Sequence, residues 1–222
     1  MLRKALVIGA TGLIGRNLVF ELLKSNIYEK VVVLVRKDMV IKHAKLEQVI
    51  IDFDLLNEAQ QYMDTDDVFC CLGSTKAKTP GHADYRKVDY DYPLNTAKLA
   101  LAKGAKQFLL VSSMGASMSS NLFYNKTKGE IEDAISKLNY PSFYIFRPAL
   151  LLGSRNEYRP LESITQSVFK VINPLFLGPL RSYKAIEGTT VARALVKAAT
   201  QKIPGKTIWL NPQIMDLAAS KT

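Results

Sequence analysis

The sequence predicts an α/β fold: a doubly wound, mostly parallel sheet of about seven strands with helices on both faces. Short runs rich in Val, Ile, Leu and Phe alternate with longer stretches of helical spacing. The runs are uninterrupted rather than alternating, which is the pattern of strands covered on both faces. The first run also stops at Gly9 and meets Gly12 and Gly15 just as a helical stretch begins.

The first strand is KALVIG, followed by a helix over Leu13 to Ser25. KVVVLVR is the second strand, with Arg36 and Lys37 at its tip, and LEQVIID the third, with Asp54 at its end. DDVFCCLG is the fourth, running out through Cys71, Leu72 and Gly73. A long helix over Ala83 to Lys103 comes next, with Gly104 placed to cap it. QFLLVSS is the fifth strand, and a helix over Phe123 to Leu138 follows, ended by Pro141. SFYIFRP and KTIWL complete the set, the latter preceded by a helix over Thr189 to Thr200. Residues 152 to 188 break the rhythm with Pro160, Pro174 and Pro179. They read as a small loop-rich insertion on the substrate side of a single domain spanning 1–222.

Composition narrows the function. The chain has 222 residues, 48% of them hydrophobic and 23% charged, as expected for an ordinary globular protein. No apolar stretch approaches the roughly 20 residues of a membrane span, and Met1 to Lys4 leads into a strand rather than a secretory leader, so a cytoplasmic location is expected. Cys70 and Cys71 are adjacent in an apolar run and read as small buried hydrophobes. His43 and His82 lie apart in polar loops, so no metal site is expected. The net charge is +10, with nine Lys/Arg against three Asp/Glu between Arg155 and Lys206. The basic segment lacks the Arg-rich clustering with interleaved aromatics of a nucleic-acid site, and no nucleic-acid partner is expected.

The glycines sit between a strand and a helix, where their spacing has physical meaning. Gly9 allows a sharp turn, Gly12 lets backbone approach a pyrophosphate, and Gly15 lets the helix pack on the strand. The phosphate rests on free N–H groups at the positive helix end, so Thr11, Leu13 and Ile14 belong to the same cradle. Where an acid would hold a ribose hydroxyl, this chain has Arg36 and Lys37; Arg36 can pair bidentately with a 2′-phosphate, which predicts NADP(H) over NAD(H). Both are alternatively solvated loop cations. Asp54, Cys71, Leu72 and Gly73 are the expected adenine and ribose contacts, with Asp54 equally suited to cap a short helix.

YNKTKGE places Tyr124 and Lys128 four apart, on one face if helical. A neighbouring ammonium favours the phenolate and lowers a tyrosine pKa from about 10 toward neutrality. The fifth strand ends in Ser112 and Ser113, where a hydroxyl can hold a substrate carbonyl oxygen. Together these residues resemble the short-chain dehydrogenase/reductase superfamily of Rossmann-fold proteins, in its extended or atypical branch. The likeness is nearer still to the Tat-interacting-protein-like subgroup, carried by FCCLGSTKAK, VDYDY, VSSMGAS, SSNLFYNKTKGE and FRPALLLGSR, and it covers nearly the whole chain. The resemblance implies Tyr124 as proton donor and acceptor and Lys128 as its pKa-lowering, ribose-binding partner. It implies Ser113 as the substrate-oxygen contact, with Ser112 the rival, and Pro148 as a border of the nicotinamide pocket.

Two functions follow: an NADP(H)-dependent reductase of a small carbonyl or alcohol substrate, or a dinucleotide-binding regulatory module acting through a protein partner. Arg155, Arg159, Lys170, Arg181 and Lys184 raise an anionic substrate as an expectation. The apolar stretch from Ile164 to Leu180 reads as a pocket lid, a subunit interface or a membrane-surface contact, and a homodimer is compatible with it. The helical face of Leu161, Ile164, Val168 and Ile172 favours packing onto the domain.

Overall fold

A computed structural model describes residues 2–74, 81–152 and 178–220. Along the described chain lie β1 (Arg3–Ile8), α1 (Leu13–Lys24), β2 (Tyr28–Val35), β3 (Leu46–Ile50), a 3-10 segment (Phe53–Tyr62) and β4 (Asp67–Cys70). Then come α2 (His82–Arg86), a π turn (Lys87–Asp91), α3 (Tyr92–Ala102), β5 (Gln107–Val111), α4 (Phe123–Ser136), β6 (Ser142–Arg147) and β7 (Leu151–Leu152). A 3-10 turn (Gly178–Tyr183), β8 (Ile186–Glu187), α5 (Gly188–Gln201), β9 (Gly205–Leu210) and α6 (Asn211–Ala219) complete it.

The seven predicted strands form one sheet in the order β3-β2-β1-β4-β5-β6-β9, every neighbouring pair parallel. The order reverses between β1 and β4, and the crevice outside the carboxyl ends of the strands at such a switch point is where ligands bind in sheets of this kind. Those ends are level: Ile8 pairs with Leu34 and Cys70, Cys70 with Leu110, and Leu110 with Ile145.

Alternation along the buried strands divides the core into two layers. Val7, Val33, Phe69 and Leu109 pack with Leu18 and Leu22 of α1, Val191 and Leu195 of α5, and Ile214 of α6. Leu6, Ile8, Val68 and Phe108 pack on the other face with Phe53, Ala97 and Ala100 of α3, and Ile131 and Ile135 of α4. Burial on both faces holds for the interior strands only; β3 and β9 are edges, and Ile50 and Ile208 are exposed.

Several local expectations change. The single helix expected over Ala83–Lys103 is α2 and α3 joined by a π turn, because Pro93 has no N–H to return to the Asp89 carbonyl. Its end is as expected: Gly104 has φ +98, with Ala105 N–H to Ala100 O and Gly104 N–H to Leu101 O closing the last turn. Helix α4 stops at Ser136, with Asn139 in the left-handed region, before Pro141 is reached. Strands β7 and β8, two residues each, are too short to show a pattern. Helix α6 was marked only by Pro212 in its first turn and by Gln213, whose side chain accepts the Leu210 N–H at 2.8 Å. Of the 152–188 segment, residues 153–177 lie outside the described residues, and with them Leu161, Ile164, Val168, Ile172, Arg155, Arg159 and Lys170. Arg181 is paired with Asp216.

A buried polar knot ties the opposite, amino-terminal ends of the strands. Asp67 accepts hydrogen bonds from Arg3 at 3.0 Å, Tyr28 at 2.6 Å and Gln107 at 2.8 Å, so β1, β2, β4 and β5 converge on one carboxylate. Arg3 and Gln107 also donate to Ala199 O, fastening the end of α5 beneath the sheet. Removing one partner leaves the others buried and unpaired. Asp67→Ala is therefore expected to lower the unfolding free energy by about 3 kcal/mol, read from urea denaturation, while leaving ligand binding at the far end of the sheet intact.

Candidate functional site

The glycine turn is held by backbone approach. Gly9 has φ +79, and a Cβ there would lie 2.4 Å from the Cys71 carbonyl carbon and 2.5 Å from the Leu72 nitrogen. A Cβ on Gly15 would lie 2.1 Å from the Gly9 oxygen, whereas on Gly12 it would lie 3.3 Å away. The Gly12 N–H donates to Gly9 O at 3.1 Å, and α1 opens with neither a side-chain cap nor an acidic residue in its first turn. Thr11 and Gly12 are exposed, and Ile14 is buried under the turn. The result is an uncapped positive helix end lined by bare backbone, which fits a pyrophosphate.

Arg36 and Lys37 are exposed at the tip of β2. Asp54 does not cap the 3-10 segment; Asp52 does, accepting the Asp54 N–H at 3.0 Å. The Asp54 carboxylate instead takes the Lys87 ammonium at 3.1 Å and the Tyr92 hydroxyl at 2.9 Å, and these two hydrogen bonds hold its pKa below the ordinary carboxylate range. Cys70 is fully buried, and burial pushes its thiol up to about 12. Cys71 is half-buried against the core, with its backbone under Gly9. His82 opens α2 rather than sitting in a free loop, its ring stacked on Phe123 at 4.1 Å.

Tyr124 lies in the first turn of α4, 43% exposed, and Lys128 one turn on is 3% exposed. The Lys128 Nζ is 2.8 Å from Asp89 Oδ1, and the Ser74 N–H donates to Asp89 Oδ2 at 2.7 Å. Gly73 lies over this pair: a Cβ on it would be 3.7 Å from both Nζ and Oδ1. Burial disfavours the ammonium, yet the Asp89 carboxylate outweighs burial and holds the Lys128 pKa above its usual value. Tyr85 is also buried here, its ring edge-on to Tyr124 at 6.3 Å and its pKa pushed up by burial and by Asp89. Asp89 was not singled out from the sequence. Its one signal is position, four residues after Tyr85 and seven before Thr96, all on the buried side of one helical stretch.

The two serines after β5 differ. Ser112 Oγ donates to Glu132 of α4 at 2.5 Å, and the same carboxylate takes the Arg147 Nε–H at 3.1 Å. Ser113 Oγ is buried and, among the described residues, has no hydrogen-bond partner. The chain after it crosses α4 at Gly129, where a Cβ would lie 2.4 Å from Met118 N. Pro148 is buried, and its carbonyl accepts the Met114 N–H at 3.0 Å. Glu132, like Asp89, was missed by sequence reasoning, although it lies four residues beyond Lys128 on the same face.

Comparison with known proteins bears on the fold and the family. Residues 9–142 match the family model described as NAD(P)H-binding. The rat protein HTATIP2 is 34% identical over 198 residues, covering 87% of this chain and 80% of its own. The Candida albicans protein named FMP52, mitochondrial, is 34% identical over 206 residues, covering 90% and 89%. Among solved structures, the Bordetella bronchiseptica enzyme WbmH in complex with NAD+ superposes with TM-score 0.72 at 18% identity, over 95% of this chain and 76% of that one. MoeE5 in complex with UDP-glucose and NAD superposes at 0.70 and 17% identity, over 97% and 81%. These two show the fold. The expected cytoplasmic location is overturned, since several fungal relatives at 31–34% identity are named mitochondrial.

Gly15→Ala forces the turn open, and overpacking costs roughly 1–3 kcal/mol, so NAD(P)H binding by fluorescence titration is expected to weaken at least about tenfold, with Gly12→Ala milder. Cys70, protonated and buried, is expected to escape a maleimide at pH 8 until denaturant is added.

Proposed function

We propose that this chain, which belongs to the NAD(P)H-binding family and to the atypical short-chain dehydrogenases/reductases that include HTATIP2, is an NADP(H)-dependent oxidoreductase of a carbonyl or alcohol substrate. It acts as one domain over 1–222.

The observation that carries the reading is the unequal state of the two serines after β5, whose chain runs on to pack against α4. Ser112 is committed to Glu132, while Ser113 keeps a buried hydroxyl without a partner among the described residues. Such a group costs stability unless something occupies it, and a substrate oxygen supplies that partner. Tyr124, on the helix that packs against the same loop through Gly129, gives a proton to that oxygen in reduction and takes it back in oxidation. When bound, the dinucleotide supplies or accepts the hydride. Gly9, Thr11, Gly12, Leu13, Ile14 and Gly15 hold its pyrophosphate; Asp54, Cys71, Leu72 and Gly73 face its adenosine side. Pro148 borders its nicotinamide, and Lys128 reaches its ribose. Arg36, exposed at the tip of β2 with Lys37, supports the choice of a 2′-phosphate. Arg181 already serves Asp216, which argues against its recognising a substrate anion.

Tyr124→Phe is expected to lower kcat at least about a hundredfold with NADPH affinity nearly unchanged, measured by cofactor oxidation over a panel of carbonyl compounds and by fluorescence titration. Binding with no turnover by the native chain on any compound would instead favour the regulatory module. Arg36→Ala is expected to weaken NADPH about tenfold or more while sparing NADH, since one charged hydrogen-bonding group contributes roughly 1.5–3 kcal/mol. Equal losses for the two cofactors would remove the 2′-phosphate assignment.

A further inference from the structure

We infer that Asp89 is a positioning residue for the cofactor site: it holds Lys128 in place as an ammonium, and without it the buried amine is neutral at neutral pH and no longer serves the ribose. This rests on Lys128 being a ribose contact, and it adds to that reading the residue on which the contact depends.

The geometry is specific. Lys128 is 3% exposed, and burial favours the neutral amine, by up to about 3–5 pH units for a fully buried group. Facing its Nζ at 2.8 Å is Asp89 Oδ1, with the two side chains 4% and 0% exposed. Asp89 is not free to turn away, because its second oxygen accepts the Ser74 N–H at 2.7 Å. Bare backbone lies over the pair at the end of β4, where a Cβ on Gly73 would be 3.7 Å from both Nζ and Oδ1. Other ionisable groups face the pair from β4, α2 and α4: Cys70, Cys71, Tyr85 and Tyr124. Burial pushes both thiols and the Tyr85 phenol upward, so these three are neutral near pH 7 and do not replace the carboxylate. Tyr124 is the same in every variant below.

The Asp89→Asn change keeps the outline and removes the charge. Burial then sets Lys128 in the folded chain below its unfolded value of about 10.4. Between those two values the unfolded chain binds one proton more than the folded chain, so stability rises with pH. In the native chain burial is outweighed by the Asp89 carboxylate and Lys128 sits above its usual value, so it adds no slope in the neutral range.

The test is urea unfolding of the full chain from about pH 7 to about pH 9, for the native chain, Asp89→Asn, Asp89→Glu, and Asp89→Asn combined with Lys128→Met. Circular dichroism establishes that each variant is folded. Relative to the double variant, the unfolding constant of Asp89→Asn is expected to fall with pH, by up to about tenfold per unit, the effect of one proton. The native chain and Asp89→Glu, which keep a carboxylate, are expected to run parallel to the double variant. NADPH titration at about pH 8 is the second readout: Asp89→Asn and the double variant are expected to bind alike, each about tenfold weaker than the native chain, because the neutral amine no longer contributes. An Asp89→Asn chain whose unfolding runs parallel to the double variant overturns the proposal whatever its binding. A folded Asp89→Glu chain that shows the rising slope also overturns it, and either variant suffices if the other does not fold. The slope present with native NADPH affinity removes Lys128 from the ribose site, and the positioning role falls with that reading. The unfolding measurement needs neither cofactor nor turnover, so the two failures are told apart.

Discussion

The structure depends on the backbone crowding at the switch point, where Gly9 of the turn after β1 lies against the Cys71 and Leu72 backbone after β4 and against Gly15 of α1. Three main-chain segments meet there with no side chain between them. That closeness leaves the first turn of α1 bare and pointed along the carboxyl ends of the strands, where its unpaired N–H groups form an anion site. It also brings Leu72 and Gly73 out of β4 directly beside the turn. From there the chain passes Ser74, whose N–H holds Asp89, so the crowding at the turn is continuous with the ion pair beneath Lys128.

Two buried polar systems orient the reactive side of the sheet, and both fasten α4. Asp89 holds Lys128 from the π turn between α2 and α3, and Glu132 ties the same helix to Ser112 just after β5 and to Arg147 of β6. Charges removed from water this completely are tolerated only when paired and hydrogen-bonded, so each fixes a geometry rather than adding much net stability. The Asp67 knot does the same at the other end of the sheet, far from the reacting groups. Between these polar constraints, Ser113 Oγ and the Tyr85 hydroxyl stay buried without a hydrogen-bond partner among the described residues.

The strands, their number and the helix-opening glycines were legible because each depends on a local pattern: an uninterrupted apolar run, a turn needing φ > 0, a helix face. The same is true of Tyr124 and Lys128, whose four-residue spacing has meaning once α4 is helical. The π turn before Pro93, the Asp52 rather than Asp54 cap, and α6 were less legible. Each rests on which hydrogen bond is completed, and several residues nearby could have completed it.

The sequence alone determined the fold class, the glycine turn that opens α1 and the one-turn spacing of Tyr124 and Lys128 on α4, since periodicity and glycine geometry are properties of neighbours in the chain. Tertiary structure decided that Ser112 is paired while Ser113 has no partner among the described residues, that Arg181 is already paired, and that Lys128 has a buried carboxylate partner. Asp89 lies thirty-nine residues from Lys128, and no local pattern records a contact across that distance. Only the packing of α4 against the π turn brings the two charges together, and the exclusion of water between them makes the pairing matter.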